Sequence, residues 1–423
     1  MSRPRILCVA GDFPWPARDG YRIRLGHVVR ALADIGDVDL FAASRGAEEV
    51  SAVPPDVELA RCEVVPTPRL HPLTAGLLAR TVASSQPKRL LWHDWDSVRR
   101  RLDSWARPPY DLAWYGPWDT MAGLGSVEAR RVILDADNLE DMRERSLRAA
   151  HARDLRSLLE HPEPNATYVR DVRARAKGIA SSTVDARRWR ALQQRLAREA
   201  DAVQVCSELD RRRLGTSNAV VIPNGYEDPG VGETTPPAGS VMMMIGRWPY
   251  PPNSDGARFY VRDILPRIRA HVPDATIRLV GRGAGHLDGM RGISGVEIVG
   301  EVPDVADELA RARLVVVPLR AGSGTRLKVL EAFAFRVPVV STSIGCEGLD
   351  AAPGTHLLVA DRPDDFAQAC IRLLTDDDLH SRVARDARSL FESHYRWDDI
   401  RRSVSQLVAS VVEGRDTTPA GVA

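Results

Sequence analysis

The residues best suited to chemistry gather in one stretch, Pro318 to Ala332, which reads PLRAGSGTRLKVLEA. An apolar run ends there in the small loop Gly322-Ser323-Gly324, and the pattern predicts a helix starting near Thr325. Free backbone N–H groups and the positive end of the helix dipole make such a start a natural anion site. Arg326 and Lys328 fall in the predicted first turn, where a cation opposes the dipole. An anionic ligand such as a diphosphate would supply the reason for both. Glu331 follows on the same helix, where a carboxylate can accept hydrogen bonds from sugar hydroxyls. Arg247, beside Gly246 at the end of a second predicted strand, adds a guanidinium fork suited to phosphate oxygens. The plainer alternatives are a capped helix with solvated charges and an ordinary surface arginine.

Other patterns weigh less. Gly281-Arg282-Gly283-Ala284-Gly285 follows a strand, but it lacks the sixth-position glycine of a dinucleotide fingerprint and a clear helix after it. Asp135-Ala136-Asp137 and Asp94-Trp95-Asp96 have the form of metal-binding pairs without an evident third ligand, and the ten histidines show no ligand spacing, so no metal is expected. The five cysteines, odd in number and scattered, point to free thiols in a reducing compartment. Of the 58 basic residues only Lys88, Lys177 and Lys328 are lysines, which singles out Lys328 within its helix.

These residues need a scaffold, and 423 residues with 44% hydrophobic and 27% charged side chains are enough for two globular domains. Net charge is +1, split as +5 before residue 220 and −4 after it, too even for a nucleic-acid-binding stripe. The start of the chain lacks the h-region of a signal peptide and no window holds 18 consecutive apolar residues, so a cytoplasmic protein is expected. Peripheral membrane contact through Lys88 to Arg107, which mixes Trp92, Trp95 and Trp105 with arginines, is one reading of that stretch. A half-buried amphipathic helix with a solvated basic face is the simpler one.

Strand-like runs at Arg5–Ala10, 38–42, 60–65, 112–115, 132–134, 202–206 and 219–222 alternate with helical segments, including 25–35 and a long polar helix over 174–200. Residues 227–240 concentrate Pro, Gly and Thr without periodicity and read as a linker. Beyond it the alternation restarts, with strands at 241–245, 276–280, 296–299, 314–318 and 337–341 and helices at 255–270, 305–312 and 325–335. Continuous runs such as LVVVPL suit strands covered on both faces, and two Rossmann-like doubly wound α/β domains follow. The expected organisation is 1–226, the linker, 241–395, a C-terminal helix at 396–413 crossing back to the first domain, and a disordered tail at 414–423.

With these pieces in order, the chain resembles the glycosyl transferases of group 1, retaining enzymes of the GT-B fold that use nucleotide-sugar donors. The likeness runs through PWPARDGYRIR, DADNL, DAVQVCSELD and VIPNG, then IGR…PPN, LVGRG, VGEVPDV, VVVPLRAGSGTRLKVLEAFAFRVPVVST and YRWDDI. The resemblance implies two domains facing a central cleft, with the acceptor side in the first domain and the donor side in the second. It gives Gly322, Ser323, Gly324, Thr325 and Leu327 the donor diphosphate together with Arg326 and Lys328, and puts Arg247, after Gly246, at the family's phosphate-binding arginine. Glu331 would hold the ribose, Glu301 and Val302 would meet the base through their backbone, and Gly20 would approach the donor. Asp137 stands where the family often has a histidine.

Two further departures concern the sugar end. Ser323 replaces the first glutamate of the Glu-x7-Glu motif, and the region where a lysine is usual reads Pro251-Pro252-Asn253, the missing charge being replaceable by Lys328 and Arg326. The implied reaction is metal-independent sugar transfer with retention, from a UDP- or GDP-sugar as co-substrate to a hydroxyl acceptor such as a glycan, lipid-linked glycan or natural product. It needs no resident cofactor and suits a monomer or homodimer. The alternatives are a nucleotide-sugar epimerase of the same architecture and an inactive partner protein, the latter motivated by Ser323 and Asp137.

Overall fold

The computed structural model describes residues 3–17, 19–44, 51–160, 168–232 and 235–415. The chain divides into two units: Met1–Asn224 with Asp398–Ala423, and Gly225–Trp397. These divisions fall within a few residues of 226 and 395, and residues 227–240 group with the second unit. Most of the expected tail, from 416 on, lies outside the described residues.

The first unit is built on seven parallel strands: β1 (Arg5–Ala10), β2 (Asp37–Ser44), β3 (Arg61–Pro66), β4 (Tyr110–Gly116), β5 (Ala129–Ala136), β6 (Ala202–Val205) and β7 (Ala219–Val221), in the order β3-β2-β1-β4-β5-β6-β7. The second holds six, also parallel: β8 (Val241–Ile245), β9 (Thr276–Val280), β10 (Val296–Gly300), β11 (Leu314–Val317), β12 (Val339–Ser341) and β13 (Leu358–Val359), in the order β10-β9-β8-β11-β12-β13. Counted within each unit, both sheets run 3-2-1-4-5-6, and the first adds a seventh strand at its edge. The strand order therefore reverses between β1 and β4 and between β8 and β11, and crevices at such reversals are where open α/β sheets bind ligands.

The apolar runs explain the sheets. Leu314–Val317 and Met242–Met244 are fully buried, covered on both faces as parallel strands require. The strand β13 is two residues long, too short to leave a periodic signature in the sequence.

Helix starts differ from expectation in informative ways. The helix Gly20–Ile35 begins five residues before the expected Leu25, because the Asp19 carboxylate accepts from the Arg22 N–H and caps it. Gly20, expected in a loop, is the first helical residue. The helix expected from Asp255 starts at Pro251, whose fixed φ suits a first turn, and passes through a π-turn at Tyr260–Ile264. The polar helix of the first unit runs over Tyr168–Glu199 and packs against a second long helix, Glu140–Glu160.

The last helix, Trp397–Val412, packs from Asp398 onward with the first unit, where the Ser405 hydroxyl donates to the Ala31 carbonyl. His27 is buried beside it. Desolvation, with Arg401 and Arg30 nearby, pushes the imidazole down to about 3, so it stays neutral.

The tryptophans of Lys88–Arg107 turn inward. The Trp92 Nε1 donates to Thr81 Oγ1 at 2.9 Å, Trp105 lies against Phe41, and the Trp95 ring lies where a Cβ on Gly123 would sit. That stretch is the amphipathic, half-buried segment of the simpler reading. No helix among the described residues is long and apolar enough to cross a membrane.

Candidate functional site

In the second unit the loops after β8 and β11 flank the reversal of strand order. The loop after β11 runs from Pro318 to Arg326, and the helix begins at Leu327, two residues later than expected. Gly322 has φ 140° and Gly324 φ 77°, backbone that side chains rarely adopt. A Cβ on Gly322 would also come within 2.6 Å of Arg326 Nη2. The loop thus closes tightly around the arginine.

That arginine is the first correction. Arg326 is the N-cap of the helix rather than part of its first turn, and its side chain is buried. Its Nη1 donates to the carbonyls of Ser323 at 2.5 Å and Gly324 at 2.7 Å. A guanidinium bound to two loop carbonyls turns these acceptors inward and acts as a positioning residue for the loop. The Leu327 side chain packs on the core of the unit, which leaves its backbone N–H facing the loop end of the helix as its polar group.

Two hydroxyls of the loop are unsatisfied. Ser323 Oγ and Thr325 Oγ1 are both buried without a hydrogen-bond partner. A buried hydroxyl left unpaired costs about 1–3 kcal/mol, so two on either side of Gly324 in a native loop call for an explanation. The first N–H groups of the helix Leu327–Ala334, including those of Leu327 and Lys328, have no intrahelical acceptor either.

Lys328, half-buried in that first turn, reaches across to the other loop: its Nζ donates to Asn253 Oδ1 at 2.9 Å. Asn253 in turn donates from Nδ2 to the Arg247 carbonyl at 2.9 Å and packs against Gly246, where a Cβ would meet its side chain at 3.1 Å. Desolvation and the neighbouring Arg326 charge push the ammonium down to about 7, partly offset by Glu331. The Arg247 side chain is exposed and makes no ion pair or hydrogen bond among the described residues. Glu331 Oε1 accepts from the Tyr226 hydroxyl at 2.8 Å, and desolvation raises its carboxyl to about 7 against the pull of that bond and of Lys328. Tyr226 is a site residue that the sequence analysis did not name. Asn253 lies in the Pro251-Pro252-Asn253 stretch where a lysine is usual, and its bond to Lys328 is what the structure adds.

The Gly246 backbone is reached from a third side. Gly281 has φ 129°, and a Cβ there would lie 2.0 Å from the Gly246 carbonyl oxygen, so the discounted glycine motif serves close backbone packing of this crevice. Beyond β10, Glu301 is exposed and 3.7 Å from Arg282, while Val302 packs half-buried on the core.

Gly20 and Asp137 belong to the first unit. Tyr21, next to Gly20, donates from its hydroxyl to the Gly116 carbonyl at 2.7 Å and accepts from the Gly11 N–H at 3.2 Å, joining the ends of β1 and β4. Burial and the carboxylates of Asp137, Asp135 and Asp119 push that hydroxyl well above its ordinary range. Asp137 follows β5 and is raised to about 7 by desolvation and by Asp135. Asp135 is held by Arg24, whose Nη2 is 2.9 Å from Oδ1, and Arg24 Nη1 donates to Asn224 Oδ1 at 2.8 Å. A cavity of about 340 Å³ opens at the ends of β1, β2 and β4, lined by Gly11, Tyr21, Thr67, Arg89, His93, Trp95, Asp119 and neighbours.

The Asp-x-Asp pairs have structural work: Asp135 pairs Arg24, and Asp94 caps the helix Trp95–Trp105 by accepting from the Ser97 N–H. Among the described residues no group of three or more His, Cys, Asp or Glu side chains could hold a metal ion.

Against known proteins, residues 239–376 match the family described as glycosyl transferases group 1. The chain is 28% identical over 227 residues to a phosphatidyl-myo-inositol mannosyltransferase of Mycolicibacterium smegmatis, covering 48% of this chain and 56% of that one. It is 24% identical over 163 residues to an uncharacterized 44.6 kDa protein in the cps region of Klebsiella pneumoniae, covering 36% and 42%. The matched stretches span about half the length of these curated relatives. Among solved structures it is similar to sucrose-phosphate synthase of Thermosynechococcus elongatus (17% identity, TM-score 0.65, 97% and 100% of the chains) and to Anabaena HepE in complex with UDP and glucose (15%, 0.58, 96% and 99%). These neighbours show the fold, which is GT-B.

Proposed function

We propose, from the match of residues 239–376 to the glycosyl transferases group 1 family, that the chain moves a hexosyl group from a UDP- or GDP-sugar to a hydroxyl acceptor, with retention and without a metal ion. The observation that carries this reading is the loop after β11, where two buried hydroxyls, Ser323 Oγ and Thr325 Oγ1, stand unpartnered before a helix N-terminus that carries Lys328. Oxygen atoms of a diphosphate would satisfy these hydroxyls and the free N–H groups together. The relatives support this reading: one is a mannosyltransferase, and HepE is seen with UDP and with UDP-glucose.

In this reading the exposed Arg247 folds onto the diphosphate, and Lys328 takes up a proton as the anion arrives. Glu331, oriented by Tyr226, accepts the ribose hydroxyls. As the bond from the anomeric carbon to the diphosphate breaks, the sugar becomes oxocarbenium-like and negative charge grows on the leaving phosphate. Lys328, Arg247 and the helix N-terminus are fixed where that charge appears, usually the largest single term in catalysis. The acceptor oxygen bonds the same face of the sugar, and its proton passes to the departing diphosphate.

Calorimetry with UDP and GDP, repeated on Lys328→Ala, tests the donor site. Binding of one nucleotide that weakens in the variant supports the reading, and silence toward both overturns it in favour of an inactive partner. Donor consumed without any acceptor would point instead to an epimerase.

A further inference from the structure

Eight large hydrophobic side chains are exposed among the described residues, and four of them fall within thirteen positions of the first unit: Leu70 at 66%, Leu73 at 68%, Leu78 at 46% and Val82 at 83%. Leu78 and Val82 stand four apart on the helix Ala75–Ala83 and share a face with Ala75 and Ala79, while Leu77 on the other side is buried. Thr74 caps this helix by accepting from the Leu77 N–H, so the face is held in a fixed form. Scattered exposed apolar residues need no explanation, but a cluster this dense marks an interaction surface.

Charge identifies the partner. From Val64 to His93 the chain contains no Asp or Glu, whereas it carries Arg69, Arg80, Lys88 and Arg89 with two histidines. Lys88 and Arg89 are engaged, with Ser181 and with Asp119 and Glu140. Arg69 and Arg80 are exposed and make no ion pair among the described residues. Apolar side chains flanked by free arginines, on a segment with no carboxylate of its own and bordered by Asp94 beside Arg69, have the composition of an interfacial helix.

We propose that Arg69–Lys88 docks this unit onto an anionic lipid surface. Leu70, Leu73, Leu78 and Val82 enter the headgroup boundary, and Arg69 and Arg80 meet lipid phosphates. The surface lies next to the unit's cavity in the chain: Thr67 and Pro68 precede it, Arg89 and His93 follow it, and all four line that cavity. A ligand carried by the same lipid layer would therefore arrive at the cavity rim. If the glycosyl-transfer reading holds, the acceptor is then a lipid with a hydroxylated headgroup; the docking itself does not depend on that reading.

The test is co-sedimentation of the full chain with vesicles of phosphatidylcholine alone and of phosphatidylcholine with phosphatidylglycerol, comparing wild type with Leu73→Asp/Val82→Asp and with Arg69→Ala/Arg80→Ala. Wild type is expected to bind only the anionic vesicles, and the Asp pair to lower partitioning by roughly tenfold or more. The Ala pair should weaken binding less, and added salt should weaken wild type. All four positions are exposed, so unchanged melting temperatures will certify folding. Wild type that stays in solution with anionic vesicles, or an Asp pair that binds as tightly as wild type, overturns the proposal. A dimer dispersed by the Asp pair, without vesicle binding, would assign the surface to a second copy of the chain. Silent UDP and GDP calorimetry with intact vesicle binding would remove only the acceptor statement.

Discussion

The two units share a strand order and reverse it at equivalent places, yet they treat charge there in opposite ways. At the end of β5 and the start of the first helix, cations are matched to carboxylates within the unit: Arg24 with Asp135, Arg22 with Asp12, Arg89 with Asp119 and Glu140. At the end of β11 Arg320 is matched by Asp255, but two further cations of the crevice have no carboxylate in an ion pair: Lys328 rests on a neutral asparagine and Arg247 is exposed. The same topology thus yields one crevice whose cations are already neutralised and one that keeps cations free for an anion. Position at a switch point nominates a crevice; the state of its side chains says what enters it.

The comparison breaks first at Arg24. Its side chain is 1% exposed and that of Asp135 5%. Removing one partner of such a pair leaves a buried charge uncompensated, which costs about 3–5 kcal/mol. Arg24→Ala should lower unfolding free energy by that amount in a denaturant titration. Where the chain remains folded, nucleotide binding should be unchanged. A loss of binding with little loss of stability would mean that this arginine, too, serves a ligand.

Lys328→Ala should do the reverse. Stability should hold or rise, because a desolvated ammonium is removed, while turnover falls about 100–1000-fold through loss of a preorganised cation. Steady-state kcat/KM with a donor and acceptor pair measures it. Near-normal turnover in both this variant and Arg247→Ala would sink the assignment of the site.

Much of this contrast was legible in the sequence. LVVVPL and RILCVA announce buried parallel strands, and the Gly-Ser-Gly loop before a helix announces the anion site. Arg326 was misread because sequence spacing gives a helix face but not a start: a shift of two residues turned a first-turn cation into a cap bound to its own loop. The contacts made by Asn253 and Tyr226 were not legible for another reason. Their roles arise from contacts 75 and 105 residues away along the chain, with Lys328 and Glu331. The apolar surface at Leu70 to Val82 has the same cause, since exposure is a property of packing that composition does not report.

A smaller effect separates hydroxyls that serve the fold from those that serve a ligand. Ser323→Ala and Thr325→Ala should each leave the melting temperature unchanged or slightly raised, because the lost hydroxyl had no partner. Each should weaken nucleotide binding by about 0.5–1.5 kcal/mol, the worth of one hydrogen bond. Unfolding curves and calorimetry on the same preparations decide it. A destabilised variant with normal affinity would return these hydroxyls to structure.

The finest test is protonic. Lys328, lowered to about 7, is largely neutral at pH 8 in the free protein, whereas an unfolded lysine stays charged up to its ordinary range. Between these limits the unfolded chain binds more protons, so this group makes stability rise with pH above about 7. Glu331, raised to about 7, acts oppositely: between the ordinary carboxylate range and 7 the folded state binds more protons, and stability falls as pH rises. Their combined contribution is lowest near neutrality. A diphosphate favours the charged lysine, so binding at pH 8 should draw in up to about one proton, which calorimetry in two buffers of different ionisation heat will count. Glu331 is by then mostly ionised and contributes little. Lys328→Arg, charged throughout, should bind without proton uptake, while wild type loses affinity from pH 6.5 to 8.5. Equal uptake in both proteins would show that the titrating group lies elsewhere and that Lys328 does not meet the diphosphate.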